Sequence, residues 1–113
     1  FRNTPSSLSN AVAEYALGMT FSLLRSIPLV DKSTREGRWI RPTGRELAGS
    51  LVGIIGMGAI GSLIREKVLN LGCEVLFSDP SVEGSVSLKH LLPHADVVII
   101  SASLNESTRE LVN

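Results

Sequence analysis

Three glycines and one carboxylate carry the most specific chemistry in this chain. The run Leu51-Val52-Gly53-Ile54-Ile55 leads directly into Gly56-x-Gly58-x-x-Gly61, and a second apolar run, Val75-Leu76-Phe77, leads to Asp79. Gly56 suits a tight turn out of a strand. Gly58, lacking a side chain, lets the backbone approach a pyrophosphate, and Gly61 lets the following helix pack hard against the strand. A helix starting there presents unpaired N–H groups and a partial positive charge to the phosphates. Asp79 follows Gly61 by 18 residues, close to the spacing of about 20 at which an acid accepts hydrogen bonds from the adenosine ribose. Glycines also cluster in turns that need them for packing alone. The strand before, the helix after and the acid beyond are what favour a dinucleotide.

A carboxylate at that position repels the extra phosphate of NADP. The residues behind it, Pro80-Ser81-Val82, supply no Arg or Lys to accept one, so the expected cofactor is NAD.

The elements that must position these residues follow from periodicity. Ile60, Leu63, Ile64, Val68 and Leu71 repeat at helical spacing, with Arg65, Glu66, Lys67 and Asn70 facing away. They predict a helix over Ala59–Leu71, with Gly72 at its C-terminal cap. Strands are expected at Glu74–Ser78 and Asp96–Ser101. The continuously apolar Val97-Val98-Ile99-Ile100 suits a parallel strand covered on both faces. A short helix, Leu88–Leu92, should stop at Pro93, and Asn105 can cap a last one through Leu111. In open α/β sheets ligands bind beyond the carboxyl ends of the strands. Gly56, Asp79 and Ser101 to Ser103 should therefore share one crevice. Ser101 and Ser103 would there offer hydroxyls to the cofactor or satisfy turn backbone.

Upstream, Ala11–Ile27 reads as one helix, capped by Ser9 or Asn10 and with Glu14 in its first turn. Val12, Tyr15, Ala16, Met19, Leu23 and Leu24 form a stripe that Leu17, Phe21 and Ile27 widen. Such a helix is buried in a core or against another chain. It is too short, and carries Glu14 and Arg25, to read as a membrane span. With no basic start before it, it does not read as a signal peptide. Pro28 should end or kink it. A second helix over Val30–Glu36 should stop at Gly37, and Trp39 reads as a packing anchor.

Composition bounds the alternatives. The 113 residues include 11 basic and 11 acidic ones, a net charge of zero, and 43% are hydrophobic. That is an ordinary globular balance with no nucleic-acid footprint and no cationic surface for a membrane. The single cysteine, Cys73, allows no internal disulfide and fits a reducing, cytoplasmic setting. The chain starts at Phe1 and ends just after a third strand, where a complete dinucleotide domain has six. The expectation is an internal piece of a longer protein. Its fold class would be α/β, a Rossmann-type parallel sheet with flanking helices, present as its first three strands.

Several runs together resemble the D-isomer-specific 2-hydroxyacid dehydrogenases: Asn3-Thr4-Pro5, Ala11-Val12-Ala13-Glu14, Gly37-Arg38-Trp39, Gly44-Arg45-Glu46-Leu47-Ala48-Gly49, Val52 to Gly61, Ala95 to Ile100, and Ser107 to Asn113. The similarity runs the length of the chain. It implies two α/β domains, the cofactor domain inserted into the substrate domain, with this chain the first half of the cofactor domain. Residues 1–42 would link the domains, and the helix over 11–27 would help build a homodimer. The resemblance further implies that Asp79 holds the adenosine ribose and that the amides of Ala59 and Ile60 hold the pyrophosphate. Ala102, Ser103 and Thr108 match positions lining the cofactor pocket.

Two departures stand out. Members commonly carry a basic residue where Ala59 stands, and His-x-Pro where this chain has Ser101-Ala102-Ser103. The family's catalytic Arg, Glu and His lie beyond the fourth strand, and nothing here matches them. His90 and His94 read as surface or cap residues. The resemblance therefore implies the NAD-binding part of an oxidoreductase that moves hydride between NAD and a small D-2-hydroxy acid or its 2-keto form. The alternatives are a non-catalytic NAD(H)-sensing module that recruits protein partners, and a fragment retained for its dimerising helix.

Overall fold

The computed structural model describes residues 5–101, with side chains from Leu8 onward. Its elements are α1 (Pro5–Leu24), α2 (Ile27–Arg35), β1 (Leu51–Ile55), α3 (Ala59–Asn70), β2 (Glu74–Ser78), α4 (Leu88–His94) and β3 (Val97–Ile100). The three strands are parallel, in the order β2-β1-β3. Ile55 lies opposite Ser78 on one side and Ile100 on the other, so the strands end level with one another. This is the three-stranded Rossmann-type α/β arrangement expected from the sequence.

Alternation along β1 divides the molecule into two layers. Val52 and Ile54 point to one face and are fully buried with Ile64 and Val68 of α3, Ala13 of α1 and Leu47. Gly53 points the other way, under Leu91 of α4. A Cβ on Gly53 would lie 2.5 Å from Leu91 Cδ2, so α4 sits this close to the sheet only because β1 has no side chain there. The same alternation leaves β3 half covered. Val97 and Ile99 pack on the core, whereas Val98 and Ile100 are exposed among the described residues, contrary to the expectation of a strand covered on both faces.

Asp96 pins β3 to the start of β1 without belonging to a strand. Its carboxylate accepts the Leu51 N–H at 2.8 Å, its own N–H donates to the Leu51 carbonyl at 2.8 Å, and Arg45 reaches it at 3.3 Å. α3 ends as expected, with Gly72 at φ 89°. The Gly72 N–H reaches the Leu69 carbonyl and the Cys73 N–H the Val68 carbonyl, which satisfies the last carbonyls of the helix. Leu71, expected on the core face of α3, is its 42% exposed cap residue instead.

Three boundaries differ from the periodicity. The expected single helix over 11–27 is two helices. α1 begins at Pro5, so Ser9 and Asn10 lie inside it and cap nothing, and Asn10 Nδ2 instead reaches Glu14 at 3.4 Å. α1 ends at Leu24, and Ser26 turns the chain through a left-handed conformation, φ 54°. Pro28 then sits in the first turn of α2, because a missing N–H costs nothing where helical N–H groups have no partner anyway. Likewise Pro93 does not stop α4, which runs on to His94. Only one backbone bond is forfeited, in the last turn of a helix seven residues long.

Candidate functional site

The glycine-rich turn forms where β1 leaves the sheet. Gly56 takes φ 94°, a conformation that a side chain disfavours, and its N–H still donates to the Ser78 carbonyl of β2 at 2.9 Å. Gly61 is buried in the first turn of α3. A Cβ there would lie 2.2 Å from the Gly56 carbonyl oxygen, a backbone atom that cannot step aside. The expectation that Gly61 permits tight helix–strand packing is thus met in the geometry. Gly58 is the opposite case. It is exposed, and a Cβ added to it would meet nothing within 4 Å. Among the described residues no packing reason for glycine operates at Gly58. Its bareness leaves the approach to the start of α3 open.

Gly58 is also the N-cap residue of α3, and no side chain among the described residues caps the helix. Ala59 and Ile60, its first two residues, present their N–H groups toward that open space, where the helix dipole favours an anion. The bare glycine and the first-turn N–H groups of the helix are features that suit an anionic group.

Asp79 lies just past β2 and is tied to the same turn. One carboxylate oxygen, Oδ2, accepts the Met57 N–H at 2.7 Å. The other, Oδ1, accepts the Ser81 N–H at 3.0 Å and the Ser81 hydroxyl at 2.7 Å. The Asp79 N–H in turn donates to Ser85 Oγ at 2.8 Å. The Met57 hydrogen bond, then the two from Ser81, hold the Asp79 carboxyl below its ordinary range and keep it anionic. A fixed carboxylate beside the turn can accept further hydrogen bonds from ribose hydroxyls through its remaining lone pairs.

From the β3 side, Ser101 donates its hydroxyl to the Gly56 carbonyl at 2.7 Å. Of the two roles open to Ser101 in the sequence, the structure shows the satisfaction of turn backbone. Gly56, Gly58, Ala59, Ile60, Gly61 and Asp79 are therefore brought to one end of the sheet. Ala102, Ser103 and Thr108, and the helix capped by Asn105, lie outside the described residues. Sequence reasoning missed the Asp79–Met57 and Ser101–Gly56 contacts. The signal available was position alone, since both residues directly follow strands that flank β1.

The two histidines and the cysteine stand apart from this site. His90 and His94 are exposed on α4, with His94 Nδ1 2.6 Å from the His90 carbonyl. Cys73 is a buried thiol against the Leu47 carbonyl at 3.3 Å, and burial raises its pKa. Among the described residues no group of His, Cys, Asp and Glu is arranged to hold a metal ion, and no helix is long and apolar enough to cross a membrane. A cavity of about 690 Å³ follows Asp79, lined by Ser78, Pro80, Val82, Ser85, Val86 and Leu88 among others.

Comparison with known proteins bears on the family and the fold. The sequence profile of the D-isomer specific 2-hydroxyacid dehydrogenase NAD binding domain matches residues 17–113. A glyoxylate/hydroxypyruvate reductase of Arabidopsis thaliana is 31% identical over 98% of this chain, which covers 38% of the reductase. The apo-structure of D-lactate dehydrogenase from Escherichia coli superposes with a TM-score of 0.85 at 29% identity, over 93% of this chain and 36% of that one. An NAD-dependent formate dehydrogenase from Staphylococcus aureus, solved in complex with NAD, gives a TM-score of 0.82 at 28% identity, over 96% of this chain and 35% of that one. The chain thus spans about two fifths of the length of the curated relative. It belongs to the D-isomer specific 2-hydroxyacid dehydrogenases, within their NAD-binding domain.

Proposed function

We propose that this chain supplies the adenosine- and pyrophosphate-binding half of the NAD site of an oxidoreductase acting on a small D-2-hydroxy acid or its 2-keto form. The observation that carries the reading is the convergence of an uncapped helix start, the open Gly58 and the anchored Asp79 carboxylate at one end of the sheet. Asp79 would accept the adenosine ribose hydroxyls, and the Ala59 and Ile60 amides would donate to the pyrophosphate. Gly56 and Gly61 shape the turn. Ala102, Ser103 and Thr108 would complete the wall. NAD supplies the hydride acceptor when bound, and the chain's own residues bind and orient it. These relatives are reductases and dehydrogenases by name, which favours an enzyme over a sensing module.

Residues 1–42 would link this domain to a substrate domain, and α1 would pair two copies. In support, one stripe of α1 faces the core through Ala13, Ala16, Leu17, Thr20 and Leu24. Leu8, Val12, Tyr15, Met19 and Leu23 form a second, exposed apolar stripe. The one buried thiol, Cys73, supports a reducing compartment such as the cytoplasm.

The test is NAD binding by the full-length protein in calorimetry, followed by NADH oxidation with a panel of 2-keto acids that includes glyoxylate, hydroxypyruvate and pyruvate. Binding with turnover of one of them supports the enzyme. Binding without turnover of any moves the reading to a binding module, and no binding removes the site.

A further inference from the structure

The Gly56 carbonyl and the Met57 N–H belong to one peptide unit. That unit is planar and trans, so its two polar ends point in opposite directions. In this chain a side chain holds each end. Ser101, just past β3, donates its hydroxyl to the carbonyl at 2.7 Å. Asp79, just past β2, accepts the N–H at 2.7 Å. The order β2-β1-β3 is what places these two side chains on opposite flanks of the turn.

We propose that Ser101 is a positioning residue for the pyrophosphate site, acting through the Gly56–Met57 peptide that it clamps jointly with Asp79. The inference rests on the NAD reading above and adds a role for a residue that no dinucleotide atom need touch.

The clamp answers a local need. Gly56, at φ 94°, has no side chain to bias its rotation, so the plane of the following peptide is free to turn unless something fixes it. The backbone ladder does not do so, because it ends with the Gly56 N–H on the Ser78 carbonyl and the Ser101 N–H on the Ile55 carbonyl, each at 2.9 Å. Past that point, among the described residues, the two side chains are what grip the peptide. Its plane decides where the chain goes next, hence where Gly58 lies and in which direction the Ala59 and Ile60 amides point. Gly61 completes the arrangement. A Cβ there would come within 2.2 Å of the Gly56 oxygen and 2.9 Å of Ser101 Oγ, so α3 closes directly over this hydrogen bond. Rotation of the peptide breaks both side-chain bonds at once, and loss of either bond releases the same plane.

The test uses the full-length protein and its Ser101→Ala and Ser101→Thr variants. Dissociation constants are measured for NAD and ADP-ribose, which carry the pyrophosphate, and for adenosine, which does not. Ser101→Ala should weaken NAD and ADP-ribose about fivefold, the scale of one neutral hydrogen bond, and leave adenosine unchanged. Ser101→Thr, keeping the hydroxyl, should restore most of the loss. Combined with Asp79→Ala, which leaves no acceptor for the Met57 N–H, Ser101→Ala should weaken ADP-ribose by less than the product of the two single losses, because both act on one peptide. Wild-type affinity in Ser101→Ala, an equal loss on adenosine, or a purely multiplicative double variant would each overturn the clamp. Failure of the wild-type protein to bind NAD would overturn the cofactor reading itself.

Discussion

Asp79 Oδ2 and the Met57 N–H are 2.7 Å apart, which ties the acid beyond β2 to the glycine turn beyond β1. The residue expected to meet the adenosine end of a dinucleotide is thereby fixed to the backbone expected to meet its pyrophosphate. A change at Asp79 should therefore be felt at both ends of the ligand. Asp79→Ala should raise the NAD dissociation constant roughly ten- to a hundredfold, the range for losing hydrogen bonds to a charged group. Calorimetric titration checks this, and unchanged affinity would take Asp79 out of the site.

The same contact makes a prediction in pH. The Met57 N–H first, then Ser81, depress the Asp79 pKa in the fold. A carboxyl depressed on folding stabilises the protein above its unfolded pKa, about 3.9 for Asp, and that contribution disappears as pH falls through the lower folded value. The glycine turn should thus loosen only on the acid side of about pH 4. Melting temperature measured against pH should fall less steeply there in Asp79→Asn than in the wild-type protein. Asp96, whose carboxyl is depressed by the Leu51 N–H and then by Arg45, titrates in the same window and should still contribute its share.

The glycines of the turn should separate binding from folding. Gly58 has open space around its absent Cβ, so Gly58→Val should fold with nearly wild-type stability and lose NAD by steric block. Gly61→Ala drives a methyl to within 2.2 Å of the Gly56 carbonyl oxygen, so α3 must lift from β1. That overpacking should cost about 1–3 kcal/mol of stability. Urea denaturation of both variants beside their NAD affinities checks the pair. A stable Gly61→Ala, or a Gly58→Val that binds normally, would misplace the loop.

What the sequence made legible follows from which forces act locally. Strand and helix identities over 51–78 were readable because an apolar run, a glycine turn and an amphipathic stripe agree with one another. The break at Arg25–Ser26 was not. The apolar stripe runs through it unchanged, and Pro28 is compatible with either the end of one helix or the first turn of the next. Of the candidate site, the three glycines and Asp79 were readable from spacing. The bonds from Asp79 and Ser101 to the turn depend on strand order, which no local pattern encodes.

The exposed stripe of α1 makes a prediction about assembly. Tyr15 is 70% and Leu23 78% exposed, large apolar surfaces that a second copy would cover. Tyr15→Glu with Leu23→Glu should convert a dimer of the full-length protein to a monomer in analytical ultracentrifugation. NAD affinity should be retained, since the stripe lies on the helix layer and not at the glycine turn. A wild-type monomer, or a dimer that ignores both charges, would remove α1 from the interface.

Gly53 offers a check on the fold that is independent of any ligand. A Cβ there would lie 2.5 Å from Leu91 Cδ2 and 3.1 Å from the Ala95 Cβ, so Gly53→Ala must displace the buried Leu91 side chain or lift α4 from the sheet. The expected loss is about 1–3 kcal/mol. Leu91 is fully buried, and Leu91→Ala alone should cost about 2–5 kcal/mol through the cavity it leaves. The added methyl of Gly53→Ala points into that cavity. The double variant should therefore be more stable than the sum of the single losses implies, by a coupling of about 0.5–3 kcal/mol. Denaturant midpoints for the four proteins give the cycle. Strict additivity would mean that Gly53 and Leu91 do not face each other, and that α4 does not cover β1 where the structure places it.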